Sequence, residues 1–127
     1  MKKGYLDYIK EASAVVVPVT PEEAIAIHAA SHAVFVDLRD PREIERDGKI
    51  PNSFSCPRGM LEFWVDPTSP YHKPVFAERR RFVFYCASGW RSVLAAHTAL
   101  EMGIEEVTHI EGGFSAWKAA GGRVSIK

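Results

Sequence analysis

Phe82-Val83-Phe84-Tyr85-Cys86-Ala87-Ser88-Gly89-Trp90-Arg91-Ser92 is the stretch on which the reading of this chain turns. Four consecutive apolar or aromatic residues with no polar alternation read as a strand covered on both faces, the condition of a strand inside a parallel sheet. The strand ends directly in Cys86. A glycine-containing turn follows, and by Ser92-Val93-Leu94-Ala95-Ala96 a helix is under way, running through Leu100 and Met102 to a stop at Gly103. In open α/β sheets chemistry collects at the carboxyl ends of strands. A strand that turns tightly into a helix there wraps backbone N–H groups around the first side chain and points a helix N-terminus at it, which makes an anion cradle. Such surroundings favour a thiolate. Gly89 permits the curl, and Arg91 adds positive charge. Cys86 therefore reads as a nucleophile, with Ala87, Ser88, Gly89, Trp90, Arg91 and Ser92 as its loop.

Outward from this core the same alternation repeats. Val15-Val16-Val17 predicts a first strand, with Val19 as its furthest reach, and Thr20-Pro21-Glu22-Glu23 opens a helix with a capping box and a proline at its first position. Ala33-Val34-Phe35-Val36-Asp37-Leu38 predicts a second strand. Asp40-Pro41-Arg42-Glu43 starts another helix, which Gly48 stops. Phe54-Ser55-Cys56 predicts a short strand, residues 58–65 a helix, residues 66–73 a surface loop, Val107-Thr108-His109-Ile110 a last strand and residues 114–120 a last helix. The expected architecture is α/β: a three-layer sandwich with a mostly parallel five-stranded sheet and helices on both faces. Residues 1–13 read as a lead-in segment with Tyr5, Tyr8 and Ile9 as contacts, and residues 14–127 as the domain.

The composition narrows the function. The chain has 127 residues, the size of one domain, with 16 Lys+Arg balanced by 16 Asp+Glu. Zero net charge argues against a nucleic-acid partner. No apolar run approaches the roughly 20 residues of a membrane span, so no membrane partner is expected. Residues 1–8 carry charge where a secretory signal is apolar. Two cysteines without a Cys-x-x-Cys, and five scattered histidines, point to no metal and no cofactor. A cytoplasmic location, where thiols stay reduced, follows as an expectation. Cys56, with Pro57 beside it and no following helix start, reads as a buried structural thiol.

Four motifs, in order, resemble the rhodanese family of sulfurtransferases. Val36-Asp37-Leu38-Arg39, followed by Glu43, is similar to the family's strand-end Asp-x-Arg. Gly48-Lys49-Ile50-Pro51-Asn52-Ser53 is similar to its Gly-His-Ile-Pro-Gly-Ala turn, with Lys49 and Asn52 as departures. Tyr85 to Ser92 resembles its active-site loop, and Glu111-Gly112-Gly113-Phe114-Ser115-Ala116-Trp117 its closing Gly-Gly turn and helix. The likeness spans about residues 15–124 and is least constrained over 57–78. It implies a rhodanese-like fold and a thiosulfate sulfurtransferase-like enzyme. Sulfane sulfur would pass from a small-molecule donor such as thiosulfate, through a persulfide on Cys86, to cyanide, a thiol or a protein acceptor. Ala87 and Ser88 are neutral where the family's mitochondrial thiosulfate enzymes are basic, which leaves Arg91 and Arg58 to grip sulfite.

Two other functions compete. The same fold serves dual-specificity phosphatases, and a thiol phosphatase or arsenate reductase would use the same nucleophile. Those phosphatases carry Cys-x5-Arg; here Cys86 to Arg91 is Cys-x4-Arg, one residue shorter and closer to sulfur size. A non-catalytic interaction module is the other alternative, and the presence of Cys86 disfavours it. Asp37, Arg39 and Arg58 are candidates for supporting the site, although for Arg39 a structural ion pair is the preferred reading. Trp90 is a candidate pocket wall, Phe63 and Trp64 are lid or core residues, and Trp117 is core. Arg79-Arg80-Arg81 reads as a solvated face.

Overall fold

In the computed structural model, which describes residues 1–126, β1 (Ala33–Asp37) and β3 (Arg81–Tyr85) pair in parallel along their whole length, from Ala33 opposite Arg81 to Asp37 opposite Tyr85. β2 (Phe54–Ser55) adds to the free edge of β1 and β4 (Val107–His109) to that of β3, so the order is β2-β1-β3-β4 and every ladder is parallel. Successive side chains of a strand point to opposite faces. Val34, Val36, Leu38, Phe82, Phe84 and Cys86 therefore fill one core, under α1 (Tyr5–Ser13), α4 (Leu61–Val65) and α5 (Trp90–Glu101). Phe35, Val83 and Tyr85 fill the other, under α2 (Pro21–Ala30) and α6 (Gly113–Ala119). This is the expected three-layer α/β sandwich with helices on both faces.

The sheet has four strands among the described residues, not five. Val15-Val16-Val17 forms no ladder. The N–H groups of Val15 and Val16 turn back to the Ala12 carbonyl at the end of α1. Pro18 has no N–H to donate, so pairing reaches only Val19, which makes a single parallel bridge with Ile110 beyond the β4 edge. Val15 and Val17 consequently lie exposed, while Val16 is buried.

Local chemistry sets the remaining elements. Thr20 and Asp40 each close a capping box, with Glu23 and Glu43, at the starts of α2 and α3 (Pro41–Asp47). Residues 58–65 divide into a 3-10 turn, Arg58–Met60, and α4. α1 lies on α5 through Ala12 and Ile9, and its Tyr5 ring meets Trp90 at 5.1 Å.

The core on the Tyr85 side is organised by an ion pair. Arg39 donates to Asp37 through Nε at 3.0 Å and Nη2 at 2.7 Å, and Nη2 also donates to the Gly48 carbonyl at 2.8 Å. Both side chains are almost wholly buried, and the guanidinium lies 4.4 Å from the Phe114 ring centroid. Arg39→Leu would strand the Asp37 carboxylate without a cation, so a loss of about 3–5 kcal/mol is expected. Chemical denaturation of the two proteins side by side measures it.

Candidate active site

The loop leaves β3 at Cys86, which is 1% exposed at the sheet's carboxyl edge. Gly89 takes φ +110°, a conformation other residues rarely adopt, and there it caps α5. That curl brings the Gly89 N–H to Cys86 Sγ at 3.1 Å. The N–H groups of the helix's first turn have no acceptor within the helix and carry the positive end of its dipole. Of the successive N–H groups expected around the sulfur, the Gly89 N–H is the one in hydrogen-bond contact with it. Ala87 and Gly89 sit within the curl, and Ser88 and Trp90 face solvent.

A second layer holds the loop from behind. The Phe114 N–H donates to the Cys86 carbonyl at 2.8 Å and the Ser115 N–H to the Ala87 carbonyl at 3.2 Å. α6 can approach so closely because Gly113, at φ +65°, has no side chain; a Cβ there would lie 2.6 Å from both carbonyl oxygens. The Gly112-Gly113 turn therefore buttresses Cys86.

Arg91 is committed elsewhere than the expected oxyanion grip. Its guanidinium makes a two-pronged bond to Glu43, both contacts at 2.8 Å. The Arg91 hydrogen bonds hold the Glu43 carboxyl down at about 2, well below its ordinary range. Arg91 links the start of α5 to α3. Arg58 is likewise engaged, with Glu62 at 3.0 Å and with Thr98 on α5 at 3.5 Å. Asp37 and Arg39 bond to one another on the Tyr85 face, the opposite face from Cys86, so they support the strand end without facing the sulfur. Cys56 is fully buried, and burial pushes its thiol up to about 12. Trp64 packs on Phe54 and Phe63 is exposed.

The structure adds one residue that the sequence reading passed over. His109 lies opposite Phe84 in the β3–β4 ladder, on the face that carries Cys86. Its Nδ1 is 3.0 Å from Ser92 Oγ, and Ser92 Oγ is 3.6 Å from Cys86 Sγ. Burial lowers the His109 pKa to about 4, which leaves a neutral imidazole near neutrality. The available signal was positional: a histidine alternating with Val107 on an inward strand face. Among the described residues no group of histidines, cysteines and carboxylates is arranged to hold a metal, and no helix is long and apolar enough to cross a membrane.

Comparison with known proteins identifies the family. The family model described as "Rhodanese-like domain" matches residues 20–120, and the chain belongs to that family. It is 30% identical over 104 residues to the mouse "Thiosulfate sulfurtransferase/rhodanese-like domain-containing protein 3", covering 78% of this chain and 66% of that protein. It is 30% identical over 87 residues to the thiosulfate sulfurtransferase GlpE of Pseudoalteromonas translucida, covering 68% and 74%. A solved Rhodopseudomonas palustris structure, described as a protein of unknown function and possible tyrosine phosphatase, is 58% identical with a TM-score of 0.96, covering 98% and 96%. The chain spans just under two thirds of the mouse relative's length.

Two outcomes follow from the loop's supports. Gly113→Ala combines an unfavourable φ with backbone overlap, so stability should fall by more than about 1–2 kcal/mol, with faster proteolysis inside residues 86–92 as the local readout. The Glu43 carboxylate stabilises the fold because its pKa is lower folded than unfolded. That contribution is complete above an unfolded value near 4.5 and is lost as pH falls through about 2. The stability gap between wild type and Glu43→Gln should therefore close between those values, as urea midpoints across the range would record.

Proposed function

We propose that this chain is a sulfurtransferase that carries sulfane sulfur as a persulfide on Cys86. The observation that carries the reading is the Gly89 N–H on Cys86 Sγ, inside a six-residue loop at a strand end. The relatives named as thiosulfate sulfurtransferases support it at the level of the family.

The chemistry has two displacements. The Cys86 thiolate attacks the outer sulfur of thiosulfate, the new S–S bond forms as the bond to the sulfite sulfur breaks, and sulfite leaves with that electron pair. An acceptor nucleophile, cyanide or a thiolate, then attacks the outer sulfur of the persulfide, and the Cys86 thiolate leaves. Such covalent catalysis gives ping-pong kinetics. Backbone N–H donors fixed by Gly89 and the α5 start meet the outgoing negative charge without reorganising. Because Arg91 would have to leave Glu43 to grip an oxyanion, thiosulfate should saturate poorly, with the deficit in KM. A reducing cytoplasm suits the two free cysteines.

A phosphatase reading is favoured by the description of the Rhodopseudomonas relative. Two features oppose it. The loop is one residue shorter than Cys-x5-Arg, and the only arginine in it is paired with a carboxylate instead of facing a tetrahedral oxyanion.

Incubation with thiosulfate followed by intact mass measurement should add the mass of one sulfur atom, removable by cyanide. Cys86→Ser should fold normally, gain no sulfur and form no thiocyanate, whereas Cys56→Ser should retain most activity. Aryl phosphate hydrolysis by the wild type, without sulfur uptake, would transfer the assignment to the phosphatase reading.

A further inference from the structure

Ser92 and His109 form a polar chain that ends on the nucleophile and that neither the cradle nor the Arg91–Glu43 pair explains. Ser92 is completely buried and His109 is 8% exposed, in a region otherwise filled by Val93, Phe84 and Val107. A buried polar group there costs stability unless it is bonded. The two side chains bond to each other at 3.0 Å, and Ser92 Oγ has two further neighbours, the Gly89 carbonyl at 3.2 Å and Cys86 Sγ at 3.6 Å.

A serine hydroxyl has one proton, so the histidine decides where it points. With Nδ1 unprotonated, Ser92 donates to His109, and its oxygen is left to accept the Cys86 thiol proton. With Nδ1 protonated, His109 donates to Ser92, and the hydroxyl proton is left between the Gly89 carbonyl and the sulfur, a choice that a charged thiolate tips toward the sulfur. The neutral imidazole has both tautomers available.

We propose that His109 is a positioning residue that acts through Ser92, turning its hydroxyl onto Cys86 Sγ to hold the thiolate for attack. This rests on the nucleophilic role of Cys86 argued above, though not on the identity of the sulfur donor. Proton balance is simple. The thiol proton passes to Ser92, the Ser92 proton to Nδ1, and the proton held at Nε2 is released to solvent. One proton is lost overall, and the imidazole ends in its other neutral tautomer.

The test is the rate of Cys86 alkylation by iodoacetamide at fixed neutral pH, which needs no sulfur donor, measured with thermal melting on each sample. A hydrogen bond to a charged group corresponds to a loss of roughly tenfold or more when removed. Ser92→Ala and His109→Leu should each lose about that factor, and His109→Asn, whose amide offers a donor close to the Nδ1 position, should recover most of it. In Ser92→Ala, the added His109→Leu change should have no further effect on the rate. Equal losses for His109→Leu with and without Ser92, or an unchanged rate in a folded His109→Leu protein, would overturn the proposal. If His109→Leu does not fold, His109→Ala in both backgrounds makes the same comparison. A protein with this coupling intact but no sulfur uptake would fail as a sulfurtransferase while keeping the relay.

Discussion

The buried pair between Asp37 and Arg39 is the constraint around which this domain closes. A carboxylate and a guanidinium withdrawn from water are tolerated only when each meets the other and the remaining donors find acceptors. Here that condition draws four segments to one point. Asp37 ends β1, and Arg39 begins the connection to α3. The Gly48 carbonyl belongs to the turn that follows α3, and the Phe114 ring lies on α6. Tyr85 completes the cluster from β3, donating to Ser53 Oγ at 3.0 Å and accepting from the Ile50 N–H at 3.2 Å. With these segments fixed, the carboxyl ends of β1 and β3 cannot slide past each other.

The site inherits its geometry from that arrangement. Tyr85 and Cys86 are consecutive, so they point to opposite faces. Tyr85 is held in the polar cluster, and Cys86 turns under the N-terminus of α5. Phe114 belongs to both sides, because its ring covers Arg39 while its N–H binds the Cys86 carbonyl. Cys86 is thereby held through its backbone carbonyl on one side and its sulfur on the other. Arg91 contributes in the same structural sense. Its two bonds to Glu43 tie α5 to α3, and its charge is used to hold the loop.

The elements themselves were largely legible. Thr20 with Glu23 and Asp40 with Glu43 are helix-start signals whose atoms lie within a few residues, and both capping boxes form. The nearly all-apolar run at 33–38, interrupted only by Asp37, and the apolar run at 82–85 signalled strands covered on both faces, and they are the central pair of the sheet. Cys86 at the end of such a run, with Gly89 behind it, marked the cradle. The Val15-Val16-Val17 strand failed for a local reason that propensity does not weigh: the end of α1 captures its N–H groups and Pro18 interrupts its pairing. The fifth strand is therefore reduced to one bridge at Val19.

What depended on distant partners was decided only by the tertiary structure. Arg91 in the chain is a cation beside a cysteine; in the fold it faces Glu43, 48 residues away, and that pairing changes its task. His109 is one of five histidines without metal-ligand spacing until β4 sets it opposite Phe84 and against Ser92. Asp37 and Arg39 are close enough in sequence to suggest a pair, but their separation from the sulfur depends on strand pleat and register. By itself the sequence determined most of the elements and their order and singled out Cys86 at a strand end, because capping and strand-to-helix turns are local chemistry. The partner and direction of each charge around Cys86 were left to the packing of the sheet, because electrostatic partners are chosen by proximity in space.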